Sequence, residues 1–407
     1  MPDRPTSLAV LAFSGGLDTS YCVVELRRRG YRVHTVFVDS GGTSAEERAA
    51  IGRRARELGA VEHHELAAGD ALWDEFAVPL IRAQARYQGQ YPLLCSDRYI
   101  IVKRCLELAA RLGARVFAHG CTGMGNDQFR FDQTARSLGD VEIVAPIRDL
   151  LGRVADVRAH EEAVLGEHGF AVPERQKRYS VNENLLGVTF SGSEIDRFAE
   201  PAADAWRWCK PRARWPAKAR HRQVTFERGV PVALDGEPLA GPVLLAALNE
   251  QLGDYGVGRF IYTGDVTIGL KGRIVFECPG LTGLLTAAEA LTEAVSTRWQ
   301  NAFRRQVADR WAELVYSGFF YEPLKRDLDV YLANASERVN GVVTLATDGG
   351  AVRAVALDSP YLLTSRDAVY AQRAAWSAAE AEGFIKLTGQ SSLLYRQVAA
   401  GGGRENK

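Results

Sequence analysis

The sequence is short of what a disulfide or metal scaffold requires. Its six cysteines (Cys22, Cys95, Cys105, Cys121, Cys209, Cys278) are scattered, with no CxxC pair and no ligand-like spacing. This excludes a zinc-ribbon architecture and fits reduced thiols in a cytosolic protein; no resident metal site is expected. No stretch approaches the roughly 20 apolar residues of a membrane span. The opening MPDRPTSLAV has no basic stretch leading into a long apolar run, so a cytoplasmic location and no membrane partner are expected. Net charge is missing too. The 50 Lys and Arg balance the 50 Asp and Glu, and the whole-molecule field offers no attraction to a polyanion. Neither GxxxxGK[ST] nor GxGxxG occurs, which removes the Walker-type loop and the dinucleotide fingerprint. Internal repeats and low-complexity tracts are also absent.

What is present is ordinary globular composition, 407 residues with 46% hydrophobic and 25% charged, enough for two domains and an appendage. The first third alternates short β-branched runs with helical patterns. LAVLAF (8–13) precedes a helix over 19–29, and YRVHTVFV (31–38) precedes a helix started by a Ser44/Glu47 capping box. VEHHEL (61–66), RVFAHG (115–120) and EIVAP (142–146) follow. This order predicts an α/β fold with a doubly wound parallel sheet, whose ligands bind beyond the carboxyl ends of the strands. Past about residue 170 the texture changes. VTFERGVPVALDGEPL (224–239) reads as strand, turn, strand, and VVTLATDGGAVRAVAL (342–357) as a hairpin turning at Asp348-Gly349-Gly350. A block from Ser377 to about Ala399 reads as a terminal helix opened by SAAE, with GGGRENK as a frayed tail.

Ser14 to Ser20, SGGLDTS, lies between the first strand and its helix. Two glycines let the backbone turn sharply and aim successive N–H groups at an anion, and Ser14, Thr19 and Ser20 add hydroxyls. The plain alternative is a strand-to-helix turn. A loop without its own lysine leaves charge neutralisation to Mg²⁺ and to basic residues elsewhere. The string resembles the loop of the PP-loop ATP pyrophosphatases, which release pyrophosphate and form an adenylated intermediate. A second glycine-rich string, AHGCTGMGNDQFRF (118–131), is similar to the HGxTGxGNDQxRF pattern of the argininosuccinate synthase family. QGQYPLLCSDRY (88–99), YSVNENLLG (179–187), YGVGR (255–259), IGLKGR (268–273), VYSGFFYEPL (315–324) and EGFIKL (382–387) extend the likeness in order along the chain.

The resemblance implies an adenine nucleotide α hydrolase-like ATP-binding domain over 1–170, an α+β synthetase domain over 171–365 and a C-terminal oligomerisation helix and tail over 366–407. ATP and its Mg²⁺ would meet Ala12, Phe13, Ser14, Gly15, Gly16, Leu17, Asp18, Thr19 and Ser20, then Val38, then Ala118, His119, Gly120, Cys121, Thr122, Gly123, Gly125 and Asn126. Asp18, Ser14 and Thr19 are the catalytic candidates, Asp18 either orienting Mg²⁺ or bracing the loop. Aspartate would meet Thr122, Asn126 and Asp127. Citrulline would meet Tyr91, Ser96, Asn126, Arg130, Ser180 and Thr189. The implied reaction joins L-citrulline to L-aspartate at the expense of ATP, in a homotetramer.

Three positions depart from the family: its citrulline-binding glutamate is Gly264 here, its tyrosine is Phe276, and the lysine of GKGND is Met124. Lost charge-assisted hydrogen bonds are worth about 1.5 to 3 kcal/mol each. Asp265, with Lys271 as a partner, is the candidate replacement carboxylate; the competing reading makes it a turn residue. Two other functions stay in view, an adenylase acting on tRNA or on a modified citrulline, and a silent nucleotide-binding regulator. Arg207 to Arg222 carries seven Lys or Arg with Trp208 and Trp215 and no acid, as a nucleic-acid surface can, but Pro211 and Pro216 favour a proline-broken connector, and no nucleic-acid partner is expected. His63 and His64 are adjacent on a strand, so they point to opposite faces and do not share a metal.

Overall fold

Leu8–Ala12 is a run of apolar residues that forms β1, the central strand of a five-stranded parallel sheet with Arg32–Asp39 (β2), Glu62–Ala67 (β3), Val116–Ala118 (β4) and Glu142–Val144 (β5). The computed structural model describes residues 7–170 and 179–400, and the strand order is β3-β2-β1-β4-β5, all parallel. Alternate residues of β1 face opposite sides. Ala9 and Leu11 join Leu17, Tyr21, Cys22 and Leu165 in one buried core, under helices Leu17–Arg28 (α1), Ala45–Glu57 (α2) and Val157–Glu167 (α5). The other face carries helices Asp97–Leu112 (α3) and Asp127–Leu138 (α4), the latter through Phe131 stacked on Phe117 of β4 at 6.4 Å. The predicted capping box opens α2: Ser44 Oγ accepts from Glu47 N at 3.2 Å and Ser44 N donates to Glu47 Oε2 at 3.0 Å.

The chain reverses direction across the sheet between β1 and β4. This is the topological switch point, and the carboxyl ends of these two strands flank a crevice. SGGLDTS leaves one and the second glycine motif leaves the other.

Two antiparallel sheets follow. Ser180–Asn184 (β6), Gly187–Ser191 (β7), Arg259–Asp265 (β11) and Lys271–Glu277 (β12) form one, in the order β11-β12-β7-β6. Arg220–Glu227 (β8), Val230–Leu234 (β9), Glu237–Pro238 (β10), Gly341–Thr347 (β13) and Val352–Asp358 (β14) form the other, in the order β10-β9-β8-β13-β14. The first predicted hairpin thus holds three strands, because both Arg228-Gly229 and Asp235-Gly236 take positive φ, the geometry of the tight turns that match strand twist. The second turns where expected. Helices Gly241–Gly253 (α6), Pro279–Val295 (α7), Arg298–Tyr316 (α8) and Pro323–Ala335 (α9) complete this part.

The basic tryptophan segment is pinned to the body as a connector. Glu277, fully buried, accepts from the backbone N–H groups of Arg207, Trp208 and Cys209 at 2.7 to 3.1 Å. Trp208 donates to Glu183 at 2.8 Å and Trp215 to the Lys210 carbonyl at 2.7 Å.

The chain falls into two units, Met1–Tyr361 and Leu362–Lys407. In the second, the SAAE capping box is formed by Ser377 and Glu380, and the expected single helix is two, Ala378–Thr388 (α10) and Gln390–Ala400 (α11), broken at Gly389. The tail 401–407 lies outside the described residues. Among them no helix is long and apolar enough to cross a membrane.

Gly256 has φ +70° and a Cβ there would lie 2.5 Å from the Trp215 ring. Gly256→Ala therefore combines backbone strain with a clash and is expected to lower unfolding free energy by about 2 to 4 kcal/mol, read as a shifted urea midpoint at unchanged slope.

Candidate active site

The loop after β1 presents an anion-sized cradle. Gly16 caps α1 with no side-chain hydrogen bond, so the first N–H groups of that helix have no cap partner and carry its positive end. Ser14 and Thr19 close the loop on itself: their hydroxyls lie 3.2 Å apart, Ser14 N donates to Thr19 Oγ1 at 3.3 Å, and Gly16 N to Ser14 Oγ at 3.4 Å. Ser14 and Asp18 are exposed, while the side chains of Ala12, Phe13, Leu17, Val38, Ala118 and His119 are buried and leave only their backbone to a ligand. Ser20 departs from its expected role. Its side chain is 1% exposed, with Arg54 Nε 3.5 Å from its hydroxyl, because it sits one turn inside α1 against α2.

Asp18 has a neighbour that sequence reasoning did not supply. Glu161 of α5 is buried, and burial followed by the adjacent Asp18 charge raises its carboxyl far above the ordinary carboxylate range. Asp18 is itself raised, chiefly by desolvation. Each carboxyl disfavours ionisation of the other. Nothing near Glu161 in the sequence announces this, because the contact is made between α1 and α5.

The second motif is braced from behind. His119 Nδ1 accepts from Cys121 N at 3.2 Å and its Nε2 faces Asp132 Oδ1 at 3.0 Å; Asp132 Oδ2 accepts from Arg148 at 3.0 Å. Burial lowers the His119 pKa, and the neutral ring with its proton on Nε2 satisfies both contacts. His119 is therefore a support for the loop. Thr122 Oγ1 accepts from Met124 N and Gly125 N at 3.4 and 3.3 Å. A Cβ on Gly120 would lie 3.2 Å from Thr19 Cγ2, so the two motifs touch, while Gly123 packs against Leu151.

At the foot of the second motif stands an alternating row of charges. Asp97 pairs with Arg98 at 2.8 Å, Arg98 Nε with Asp127 Oδ2 at 3.1 Å, and Asp127 Oδ1 with Arg130 at 2.7 Å. Arg130 also donates twice to the Tyr316 carbonyl, at 3.2 and 2.8 Å. Asn126 donates to the Tyr316 hydroxyl at 2.9 Å and accepts from Thr267 N at 3.0 Å. Burial works to raise the Asp127 pKa, but the Arg98 and Arg130 guanidiniums outweigh it and hold the carboxyl at about 2. Ser96, fully buried, donates to the Leu93 carbonyl at 2.8 Å. Its proton is committed to the main chain, which leaves the lone pairs for the citrulline contact expected there.

The family follows from comparison with known proteins. Residues 8–163 match the Arginosuccinate synthase N-terminal HUP domain, and residues 179–395 match the Arginosuccinate synthase C-terminal domain. The chain belongs to the argininosuccinate synthase family. It is 56% identical over 389 residues to the argininosuccinate synthase of Xanthomonas campestris pv. campestris, covering 96% of this chain and 98% of that one. To the argininosuccinate synthase of Methanocaldococcus jannaschii it is 39% identical over 396 residues, covering 95% and 98%.

Within that family the altered strand now has a physical account. Strand register puts Tyr262, Gly264, Phe276, Thr189 and Ser180 on one face of the β11-β12-β7-β6 sheet. Tyr91, 2% exposed, lies edge-on to Phe276 at 5.3 Å. A Cβ on Gly264 would be 2.3 Å from Gln88 Oε1 and 2.4 Å from the Tyr262 hydroxyl. A glutamate here would have to displace the ends of both side chains. Asp265 belongs to the opposite face, paired with Lys271 at 2.5 Å, and its other oxygen accepts from Gln88 Nε2 at 3.1 Å. The Lys271 partner expected for Asp265 is present, and the side chain that touches the vacated position is Gln88. Gln88 and Tyr316 both lie inside family-like strings, yet only the folded chain shows their contacts.

Asp127→Asn leaves Arg130 without its carboxylate and Arg98 with Asp97 alone. The expected loss is about 3 kcal/mol, at the low end for a broken buried pair because Asp127 is 34% exposed. The native pKa is below the unfolded value of 3.8, so this contribution is complete above pH ~4 and disappears as pH falls toward 2. Denaturation midpoints across that range should converge for wild type and variant.

Proposed function

We propose that this chain ligates L-citrulline and L-aspartate to argininosuccinate, with AMP and pyrophosphate as the other products, in arginine biosynthesis. The observation that carries the reading is the convergence of two glycine motifs at the switch point, one an anion cradle and the other tied to a buried Asp–Arg row. ATP lies across the crevice with its phosphates against the α1 N-terminus and the Ser14 and Thr19 hydroxyls. The ureido oxygen attacks the α-phosphate, pyrophosphate leaves toward the loop, and the aspartate amine then displaces AMP from the citrullyl-adenylate. Adenylation is needed because a ureido oxygen is a poor leaving group and AMP a good one. Neither step demands a strong base, so rate comes from positioning and from charge stabilisation at phosphorus.

Mg²⁺ accompanies ATP in this scheme. The donors present suit a hard cation: the Asp18 carboxyl, two loop hydroxyls, and Glu161 Oε1, which is buried without a hydrogen-bond partner. Bound there, it would neutralise triphosphate charge in a loop that has no lysine. Aspartate sits at Thr122 and Asn126, with Asp127 and Arg130 fixing the motif. Citrulline lies along the face of Tyr91, Thr189 and Ser180.

Gln88 takes over from the missing glutamate. Its amide oxygen accepts from Tyr262 at 2.9 Å and more weakly from Asp265 N at 3.3 Å, and the second bond is the one a substrate ammonium displaces. Gln88→Ala should raise the citrulline KM about tenfold, one lost charge-assisted hydrogen bond, with kcat changed less; an unchanged KM would remove Gln88 from the site. Pyrophosphate release from ATP tests the reaction itself. It should require citrulline, turn over fully only with aspartate, and not respond to tRNA; release without any ureido amino acid would overturn the assignment.

The second unit supports a homotetramer. Helices α10 and α11 expose Phe384, Ile385, Leu387, Leu394, Tyr395 and Val398, an apolar surface of the kind that marks an interaction site. Further copies of the chain cover it in this reading. Light scattering after size exclusion should give a tetramer for wild type and a smaller species for Ile385→Asp/Leu387→Asp. Equal masses for the two would refute the interface.

A further inference from the structure

His63 and His64 diverge as adjacent strand residues must, but the neighbouring strand supplies what His64 lacks. In the parallel β2–β3 pair, His34 is in register with Glu62 and Val36 with His64. Residues two apart on a strand share a face, so His34, Glu62 and His64 converge on the α3 side of the sheet while His63 turns to the other, where it meets Thr35 at 2.9 Å and Phe13 edge-on. His34 Nδ1 and His64 Nε2 stand 3.0 Å apart, and Glu62 Oε2 is 3.8 Å from the first and 3.7 Å from the second.

Four ligands placed tetrahedrally about 2.0 to 2.1 Å from zinc are separated by about 3.4 Å. Two sides of the observed triangle lie a few tenths of an ångström above that value and one lies as far below it. A hydrogen bond from one imidazole to the other explains the 3.0 Å contact by itself, but it leaves the carboxylate facing both rings beyond hydrogen-bond distance. An ion at the centre accounts for all three separations. Access is available, since the Glu62 side chain is 59% exposed and His64 16%, while His34 is 8% exposed and held in place by the sheet. Two imidazoles and one carboxylate are a donor set for zinc-type divalent ions, with room for water as fourth ligand.

We propose that His34, Glu62 and His64 form a zinc-type metal site separate from the ATP crevice. His34 lies five residues before Asp39, the last residue of β2, about 16 Å along the strand at roughly 3.3 Å per residue. The ion would tie the edge strand β3 to β2. It takes no part in adenylation.

The test uses the full chain, stripped of metal and titrated with Zn²⁺ by calorimetry and with Co²⁺ by visible absorption. Wild type should take up one equivalent, give the intense tetrahedral Co²⁺ spectrum, and melt at a higher temperature with zinc than without. Glu62→Gln and His64→Gln change side chains at an open edge, and each should weaken zinc binding at least tenfold while ATP-dependent pyrophosphate release in Mg²⁺ stays at the wild-type rate. His34→Gln should abolish the Co²⁺ spectrum. Absence of stoichiometric binding in wild type overturns the proposal. So does zinc uptake that persists in the His34→Gln/His64→Gln double variant, which would place the ion on cysteines instead.

Discussion

The Asp127 carboxylate, held between Arg98 and Arg130, is the constraint on which the rest of the site depends. Arg98 is 8% and Arg130 3% exposed, and neither cation is tolerable at that depth without a counter-charge. One carboxylate at the start of α4 pairs with both, with Asp97 as a second counter-charge for Arg98. Through Arg98 it is coupled to Asp97 at the head of α3, and through Arg130 to the Tyr316 carbonyl at the end of α8. The second glycine motif is thereby fixed to two helices from different parts of the chain. Its loop atoms are set by charge pairing before any ligand arrives.

The ATP-binding half was largely legible because its signals are local. Four of the five strands follow from apolar or β-branched runs, β3 from its place in the strand–helix alternation, α2 from its capping box, and the two glycine strings from their position after β1 and β4. Register and sign of the long-range contacts were not. Gly264 reads in the sequence as a loss, and only the packing of Gln88 and Tyr262 around it shows that the position is filled. Asp265 was adjacent in number to the lost glutamate, but a one-residue step on a strand changes the face. Ser96 and Ser20 likewise carried the right chemistry, and only the fold shows that both side chains are buried. Glu161 and Tyr316 meet the site through tertiary contacts between helices, for which a sequence has no periodicity to read. The break at Gly389 was missed because a glycine inside a helical pattern is as often tolerated as it is a stop.

The basic tryptophan segment shows the same logic in reverse. Its basic and aromatic residues admit a nucleic-acid surface when read alone, although Pro211 and Pro216 favour a connector. In the fold, one buried carboxylate, Glu277, gathers three consecutive N–H groups at its start, and Trp215 fills the space left by Gly256, Gly349 and Gly350. The aromatic rings are spent on internal packing, and three of the seven cations have their own carboxylates: Arg207 with Glu183, Lys210 with Asp254, Arg222 with Asp235.

The contact between Gly120 and Thr19 has a mechanical meaning. With 3.2 Å between a Cβ built on Gly120 and the Thr19 methyl, the two lips of the crevice are already in touch at their base. They cannot part there like the blades of a hinge without opening a void between them. Any side chain at position 120 would push against the Thr19 methyl, so the bare glycine sets how closely the two lips approach at the floor of the crevice.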